Sequence, residues 1–432
     1  MGSMKRTVLQ ELISWRSSAD RKPLILNGAR QVGKTWLLQE LARTGYAKEA
    51  YVMCRHNASA ERIFKQDYDA KRMIRALSAL TGVDITPGDT LIILDEVQEI
   101  PEAIEALKYF CENVPEYHIA AAGSLFGISI HQGILFPVGK VNIVNLYPMS
   151  FEEFLLAKRE DQMQILLRES DYSVINTLHE KYIELLKQYY YTGGMPEAVA
   201  KFVQTGELQK VRHIQLNILK GYESDFSKHV PKEQLSRIRM VWKSIPSQLF
   251  KENKKFVYGA LRKGARATDF EISLQWLADA GLVYKIPRCS KPALPLAIYE
   301  DLKAFKLYLF DVGLLGAMAD VSPAQVLIGE SIFSEYKGGM SEQYVMQQLI
   351  SHGKPHIYYY KTDDSRLEID FLIQKENRLL PIEVKASGNV RSNSLSRMLR
   401  ENPDLRAVRY SILTYKEQGQ MTNVPLYAAG FA

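Results

Sequence analysis

Cysteine is scarce in this chain: three residues in 432, Cys54, Cys111 and Cys289, each far from the others. That number and spacing exclude a disulfide framework and a cysteine-built zinc site. Long apolar runs are missing as well. Hydrophobic residues make up 46% of the chain, yet no run approaches the ~20 residues a helix needs to cross a bilayer. The amino terminus shows no signal-peptide core, so the expectation is a cytoplasmic protein without a membrane partner. Neither sign of charge is in large excess, with 55 Lys and Arg against 49 Asp and Glu, a net +6. The length exceeds one comfortable hydrophobic core, which predicts about two to four domains.

What is present begins at Leu24. Leu24-Ile25-Leu26 is a short apolar strand that runs into Gly28-Ala29-Arg30-Gln31-Val32-Gly33-Lys34-Thr35, and an amphipathic helix follows from Trp36. The pattern G-x-x-x-x-G-K-T between a strand and a helix is what a phosphate-binding loop requires. Its glycines let successive backbone N–H groups turn inward around phosphates at the positive end of the helix. Gly28, Ala29, Arg30, Gln31, Val32, Gly33, Lys34, Thr35 and Trp36 are the expected nucleotide contacts. Lys34 reaches the β and γ oxygens and shares in catalysis, while the Thr35 hydroxyl holds Mg²⁺.

A second half of such a site lies downstream. Thr90-Leu91-Ile92-Ile93-Leu94 is an unbroken apolar run that ends in Asp95-Glu96, as expected of a strand buried on both faces of a parallel sheet. Carboxylates at the carboxyl end of such a strand gather where ligands bind in open α/β sheets. Asp95 is expected to hold Mg²⁺ through its water shell, and Glu96 to act as the base that polarises the attacking water. Another strand, His118 to Ala122, ends in Gly123-Ser124. Ser124 and Gln98 are expected to sense the γ-phosphate, and with Arg30 to distinguish ATP from ADP.

Strands and helices alternate from Pro23 to about Leu146, which predicts a doubly wound P-loop sheet over residues 4–155. Ser150, with Glu153 three positions on, reads as a capped helix start. A helical region is expected over 156–245, broken at Gly193-Gly194-Met195-Pro196-Glu197. Residues 246–300 read as helix, basic turn, helix and strand, a winged-helix pattern. Nine of the residues between 249 and 291 are basic against four acidic, so DNA is a candidate partner of this segment. The bland alternative is a solvated face that contacts only protein.

Residues 301–432 hold a second possible chemistry. Ile357 to Lys361, Leu367 to Ile373 and Leu379 to Lys385 read as strands, the last two joined by a turn at Glu376-Asn377. Folding symmetrically about that turn puts Asp370 opposite Glu383, with Lys385 on the same face. Two carboxylates and a lysine, completed by Glu342 on the preceding helix, suit a divalent metal working on a phosphodiester. Solvated charges on a half-exposed hairpin are the plain alternative.

Taken together, Gly28 to Thr35, Leu94-Asp95-Glu96-Val97-Gln98, Gly123-Ser124, Leu146-Tyr147-Pro148-Met149-Ser150-Phe151, Gly193 to Glu197 and Asp279-Ala280-Gly281-Leu282 resemble a known set. They are similar to the motifs of bacterial and archaeal AAA-like P-loop ATPases that carry a C-terminal domain of unknown function. The tail from about Gly339 resembles the PD-(D/E)XK nuclease fold, whose motif falls on Asp370, Glu383-Val384-Lys385 and Glu342. The resemblance implies an α/β P-loop sheet followed by a helical region, a winged helix and a restriction-endonuclease-like domain. It implies ATP and Mg²⁺ as cofactors and ATP hydrolysis as the activity. The expected role is an ATPase whose nucleotide state governs a DNA-interacting C-terminal region. The alternative is a regulatory ATPase whose C-terminal half binds a protein partner, or a second copy, through an inactive nuclease-like fold.

Overall fold

The structure, a computed structural model, describes residues 4–123, 135–251, 253–327, 335–354, 356–386 and 392–431. Its residues fall into two units, one of Met1–Tyr147 with Asp279–Leu282 and one of Pro148–Ala278 with Val283–Ala432.

In the first unit, five strands form one sheet: β1 (Leu24–Asn27), β2 (Lys48–Met53), β3 (Thr90–Asp95), β4 (His118–Gly123) and β5 (Asn142–Asn145). They lie in the order β2-β3-β4-β1-β5, and every pairing is parallel. The apolar runs account for this arrangement. β3 and β4 are buried at every position, which only a strand with neighbours on both edges and helices on both faces can sustain. The crossovers are the helices Lys34–Gly45, Ala58–Gln66 with Ala70–Thr81, and Pro101–Asn113. Phe64, Met73, Leu77, Leu107 and Phe110 fill the core against β2, β3 and β4. Asp69 accepts from the backbone N–H groups of Lys71 and Arg72 and so caps Ala70–Thr81. One strand, β4, separates β1 from β3, so the carboxyl ends of both reach the same edge of the sheet, about 10 Å apart.

The second unit opens with the helix Phe151–Ala157, whose capping box forms as expected: Ser150 accepts from Glu153 N–H, and Glu153 accepts from Ser150 N–H. Helices Asp161–Glu169, His179–Thr192, Pro196–Thr205, Leu208–His229 and Lys232–Leu249 follow. The break at Gly193-Gly194 is a junction as well as a loop. Gly194 accepts from Met149 N–H at 2.7 Å and donates its own N–H to Asp311 Oδ2 at 2.6 Å. Asp311 also caps Val312–Met318 through Leu314 N–H. Burial raises its carboxyl to about 6 against the pull of these backbone donors.

Eight strands form the second sheet: β6 (Val283–Cys289), β7 (Glu300–Leu309), β8 (Ile357–Lys361), β9 (Glu368–Lys375), β10 (Arg378–Lys385), β11 (Ala407–Ser411), β12 (Lys416–Gln418) and β13 (Met421–Pro425). Their order is β12-β13-β11-β10-β9-β8-β6-β7. The β9–β10 hairpin keeps the expected register, from Lys375 opposite Arg378 to Phe371 opposite Ile382. The boundary expected at residue 300 falls between β6 and β7, which pair antiparallel. β6 also joins β8 through Arg288 and Cys289. An isolated hairpin leaves a row of unpaired backbone groups on each edge, and β8 satisfies part of one. The expected winged-helix segment thus contributes a strand to the sheet of the tail.

Candidate nucleotide site

The loop after β1 is built so that both of its glycines are obligatory. A Cβ on Gly28 would lie 2.3 Å from the carbonyl oxygen of Leu146, because Leu146 N–H bonds Asn27 O at 2.7 Å and draws that segment against the loop. Gly33 stands at φ +96°, just ahead of the helix Lys34–Gly45, in the left-handed region that side chains avoid. Between them the chain turns through Gln31 at φ +65°. The first turn of the helix leaves its backbone N–H groups without intrahelical partners, a ready anion site.

Lys34 is 8% exposed, and its Nζ donates to Gly28 O at 2.9 Å and Ala29 O at 2.8 Å. Both partners are neutral carbonyls. Burial draws the Lys34 pKa down to about 8, against the opposing pull of Glu96 and Asp95. Thr35 Oγ1 donates to Asp95 Oδ2 at 2.7 Å, so the two expected magnesium residues meet across the gap between β1 and β3. Glu96 N–H bonds Asp95 Oδ1 at 3.0 Å. The Glu96 backbone lies at φ +50°, a conformation that costs a non-glycine residue of order 1 kcal/mol and is concentrated at functional sites. Gln98, expected as a sensor, donates its amide N–H to the Glu96 carboxylate, while its own Oε1 is buried without a partner among the described residues. Ser124 lies outside the described residues.

Two neighbours of the loop and of Asp95 carried no mark in the sequence. Arg6, 7% exposed, donates to Val32 O at 2.8 Å and Tyr147 O at 2.7 Å, tying the loop to the segment after β5. Tyr51 on β2 donates its hydroxyl to Asp95 Oδ2 at 2.8 Å. A lone arginine in a lead-in segment carries no motif. For Tyr51, the only available signal was its place near the carboxyl end of the strand beside β3.

In the second unit the expected acidic residues stand among lysines. Glu342, 3% exposed, bonds Lys254, lies 3.6 Å from Lys306 Nζ, and accepts from Tyr308 Oη at 3.1 Å. Burial pushes the Glu342 pKa up, but the two ammonium charges outweigh it and hold the carboxyl well below its usual range. Lys306 also meets Glu368 at 3.0 Å, and Lys361 meets Glu368 at 2.9 Å. Asp370 Oδ2 accepts from Val384 N–H at 2.8 Å. Burial first, then the Glu342 charge, raise the Asp370 carboxyl well above the ordinary range. Glu383 pairs with Lys385 at 2.7 Å and is level with Arg409 on β11. The expected gathering of these carboxylates around a metal ion is not what is found. Among the described residues no group of three or more His, Cys, Asp and Glu side chains could hold a metal ion. Lysines fill that role, and Lys254, Lys306 and Glu368 could not be drawn into the cluster from spacing alone.

The basic turn of 249–291 is exposed at Arg262, Lys263 and Arg266, with Arg262 3.7 Å from Asp269. The following helix Ala267–Asp279 shows Thr268, Glu271, Ile272 and Gln275 to solvent, none of them basic.

A parallel sheet with a glycine-bounded loop on β1 and a buried Asp on β3 defines the P-loop class of nucleotide-binding fold. Residues 20–155 match the family model described as AAA domain. Residues 183–325 and 337–427 match two domains of unknown function, DUF8612 and DUF4143. No curated protein matches the chain. Among solved structures, a Walker-type ATPase of Pyrococcus abyssi shares 13% identity at a TM-score of 0.45, over 73% of this chain and 96% of that one. The Aeropyrum pernix Orc1 protein, solved with DNA, shares 13% identity at a TM-score of 0.29, over 72% of this chain and 91% of that one. The Thermotoga maritima RuvB Holliday junction branch migration motor shares 13% identity at 0.31, over 66% and 90%. Each likeness is distant. No described helix is long and apolar enough to cross a membrane.

Proposed function

We propose that this protein binds Mg·ATP at Gly28 to Trp36 and hydrolyses it. The observation that carries the reading is the meeting of Thr35 with Asp95 at 2.7 Å beside a buried Lys34 held, among the described residues, by loop carbonyls. A lysine kept in that way can transfer its bonds to a phosphate without breaking an ion pair. Hard oxygen donors from Thr35 and Asp95 fit magnesium, which bound there would neutralise phosphate charge. Glu96 is then the base that takes the proton of the attacking water. Gln98 donates to that carboxylate until the γ-phosphate competes for its amide N–H, and Ser124 and Arg30 complete the discrimination of ATP from ADP.

For the second unit, the exposed cations Arg262, Lys263 and Arg266 favour a polyanionic partner such as DNA, with the nucleotide state governing the contact. Binding to a labelled duplex should then weaken steeply with salt as counterions are released. The lysine partners of Glu342 and Glu383 favour the other reading for the tail, an inactive nuclease-like fold that serves protein contacts. Asp370→Ala with Lys385→Ala should leave function intact on that view.

The decisive experiment is calorimetry. Wild-type protein should take up Mg·ATP, and Lys34→Ala should lose at least about a hundredfold in affinity, about 2.7 kcal/mol. Equal affinity in the two proteins would remove the assignment.

A further inference from the structure

Asp95 has three donors, and one of them, Tyr51, belongs neither to the phosphate loop nor to the acidic pair. Met53 is level with Asp95 in the parallel pairing of β2 and β3, and side chains two positions apart share a face of the sheet. Tyr51 therefore projects on the same face as Asp95, one step along the strand, and its phenol spans that step. Its Oη donates to Asp95 Oδ2 at 2.8 Å, the same oxygen that accepts from Thr35 at 2.7 Å. The other oxygen is taken by Glu96 N–H.

We propose that Tyr51 is a positioning residue for the divalent cation, setting through Asp95 how tightly magnesium accompanies the nucleotide. The inference rests on the Mg·ATP reading above and adds a residue outside the loop and the acidic pair. Two effects of the phenol oppose each other. A donor withdraws charge from the carboxylate, which weakens a direct metal bond. It also fixes the carboxylate before the metal arrives, which spares the ordering cost at binding. Asp95 is expected to act through the metal's water shell, where direction matters more than basicity, so positioning wins. Partners of this kind typically contribute about 10- to 100-fold in metal affinity. Tyr51 is only half-buried, so water can partly replace it, and the low end of that range applies.

The test compares full-length wild type with Tyr51→Phe, which keeps the ring and removes only the donor. ADP is titrated calorimetrically in EDTA and again across a magnesium series. The expected result is an unchanged ADP affinity in EDTA and a magnesium midpoint about tenfold higher in the variant. An unmoved midpoint overturns the inference. So does an equal loss of ADP affinity in EDTA, which would make Tyr51 a support of the loop itself. Wild-type protein that binds no ADP under either condition defeats the nucleotide reading, and Tyr51 falls with it; a responsive wild type with an identical variant defeats Tyr51 alone.

Discussion

Lysine and carboxylate come together in both units of this protein, and the two settings treat them in opposite ways. Beside β1 and β3, Lys34 bonds neutral carbonyls while Asp95 bonds neutral hydroxyls and an amide. Charges of both signs are buried there and kept from cancelling in direct ion pairs. Among β7, β9 and β10, Lys254 and Lys306 lie on Glu342, Lys306 and Lys361 on Glu368, and Lys385 on Glu383. Those charges neutralise one another. On the proposed reading, the first arrangement is costly alone and would become favourable when a phosphate and a cation arrive. The second is held by ion pairs within the protein, although Glu383 Oε2 stays buried without a hydrogen-bond partner among the described residues. The same residue types thus read as a binding site in one unit and as internal scaffolding in the other, and the deciding feature is what each ammonium touches.

The contrast can be broken at several points. Lys306→Ala should have the largest effect on stability. It strands Glu342 as a buried charge with half its compensation, and removal of one partner of a buried pair costs about 3–5 kcal/mol. Urea denaturation followed by circular dichroism measures it, and a loss below about 1 kcal/mol would mean the cluster is solvated. Glu96→Gln should lower kcat by at least about a hundredfold while leaving Mg·ATP affinity within about twofold. Steady-state phosphate release paired with calorimetry separates the two quantities; normal turnover would strip Glu96 of its role.

Smaller effects come from pH. Free Lys34 loses its proton at about 8, and only the charged form attracts phosphate. Nucleotide affinity should therefore fall as pH rises through that value, by up to about tenfold per pH unit. Bound phosphate raises the Lys34 pKa again, so binding on the alkaline side should take up close to one proton. Calorimetry in two buffers of different ionisation enthalpy detects this, and zero uptake contradicts it. Asp370 contributes to stability, and its contribution too falls as pH rises. Its folded carboxyl is raised by burial and by Glu342, so its contribution is present at low pH and is lost as pH rises toward that raised value. Asp370→Asn, which can still accept from Val384 N–H, should stabilise the fold by about 1–2 kcal/mol at about pH 8 and much less at about pH 5.

Much of this architecture was legible in advance because its signals are local. The strands expected at Leu24, Thr90 and His118 announce themselves as short apolar runs, and all three form. Ser150 and Glu153 cap a helix because both partners lie within one turn. The β9–β10 register follows from the position of its turn, since a hairpin allows few ways to pair. What escaped reading is of another kind. β6 and β7 join the tail's sheet through two residues of β8, a long-range pairing without a local mark. Arg6 and Tyr51 are single polar residues in ordinary segments; the partners of Arg6 lie 26 and 141 positions away and that of Tyr51 lies 44 away.

From its residues alone, this chain determines a strand–loop–helix with glycines at the two places the backbone demands them, and an acidic pair at the end of a buried strand. Those follow from sterics and hydrophobic burial acting over a few neighbouring residues. The tertiary structure decided which charges remain available. Lys34 is left to carbonyls while Lys254 and Lys306 are committed to Glu342, because the strength of an ionic contact depends on distance and burial, and neither can be read along the chain.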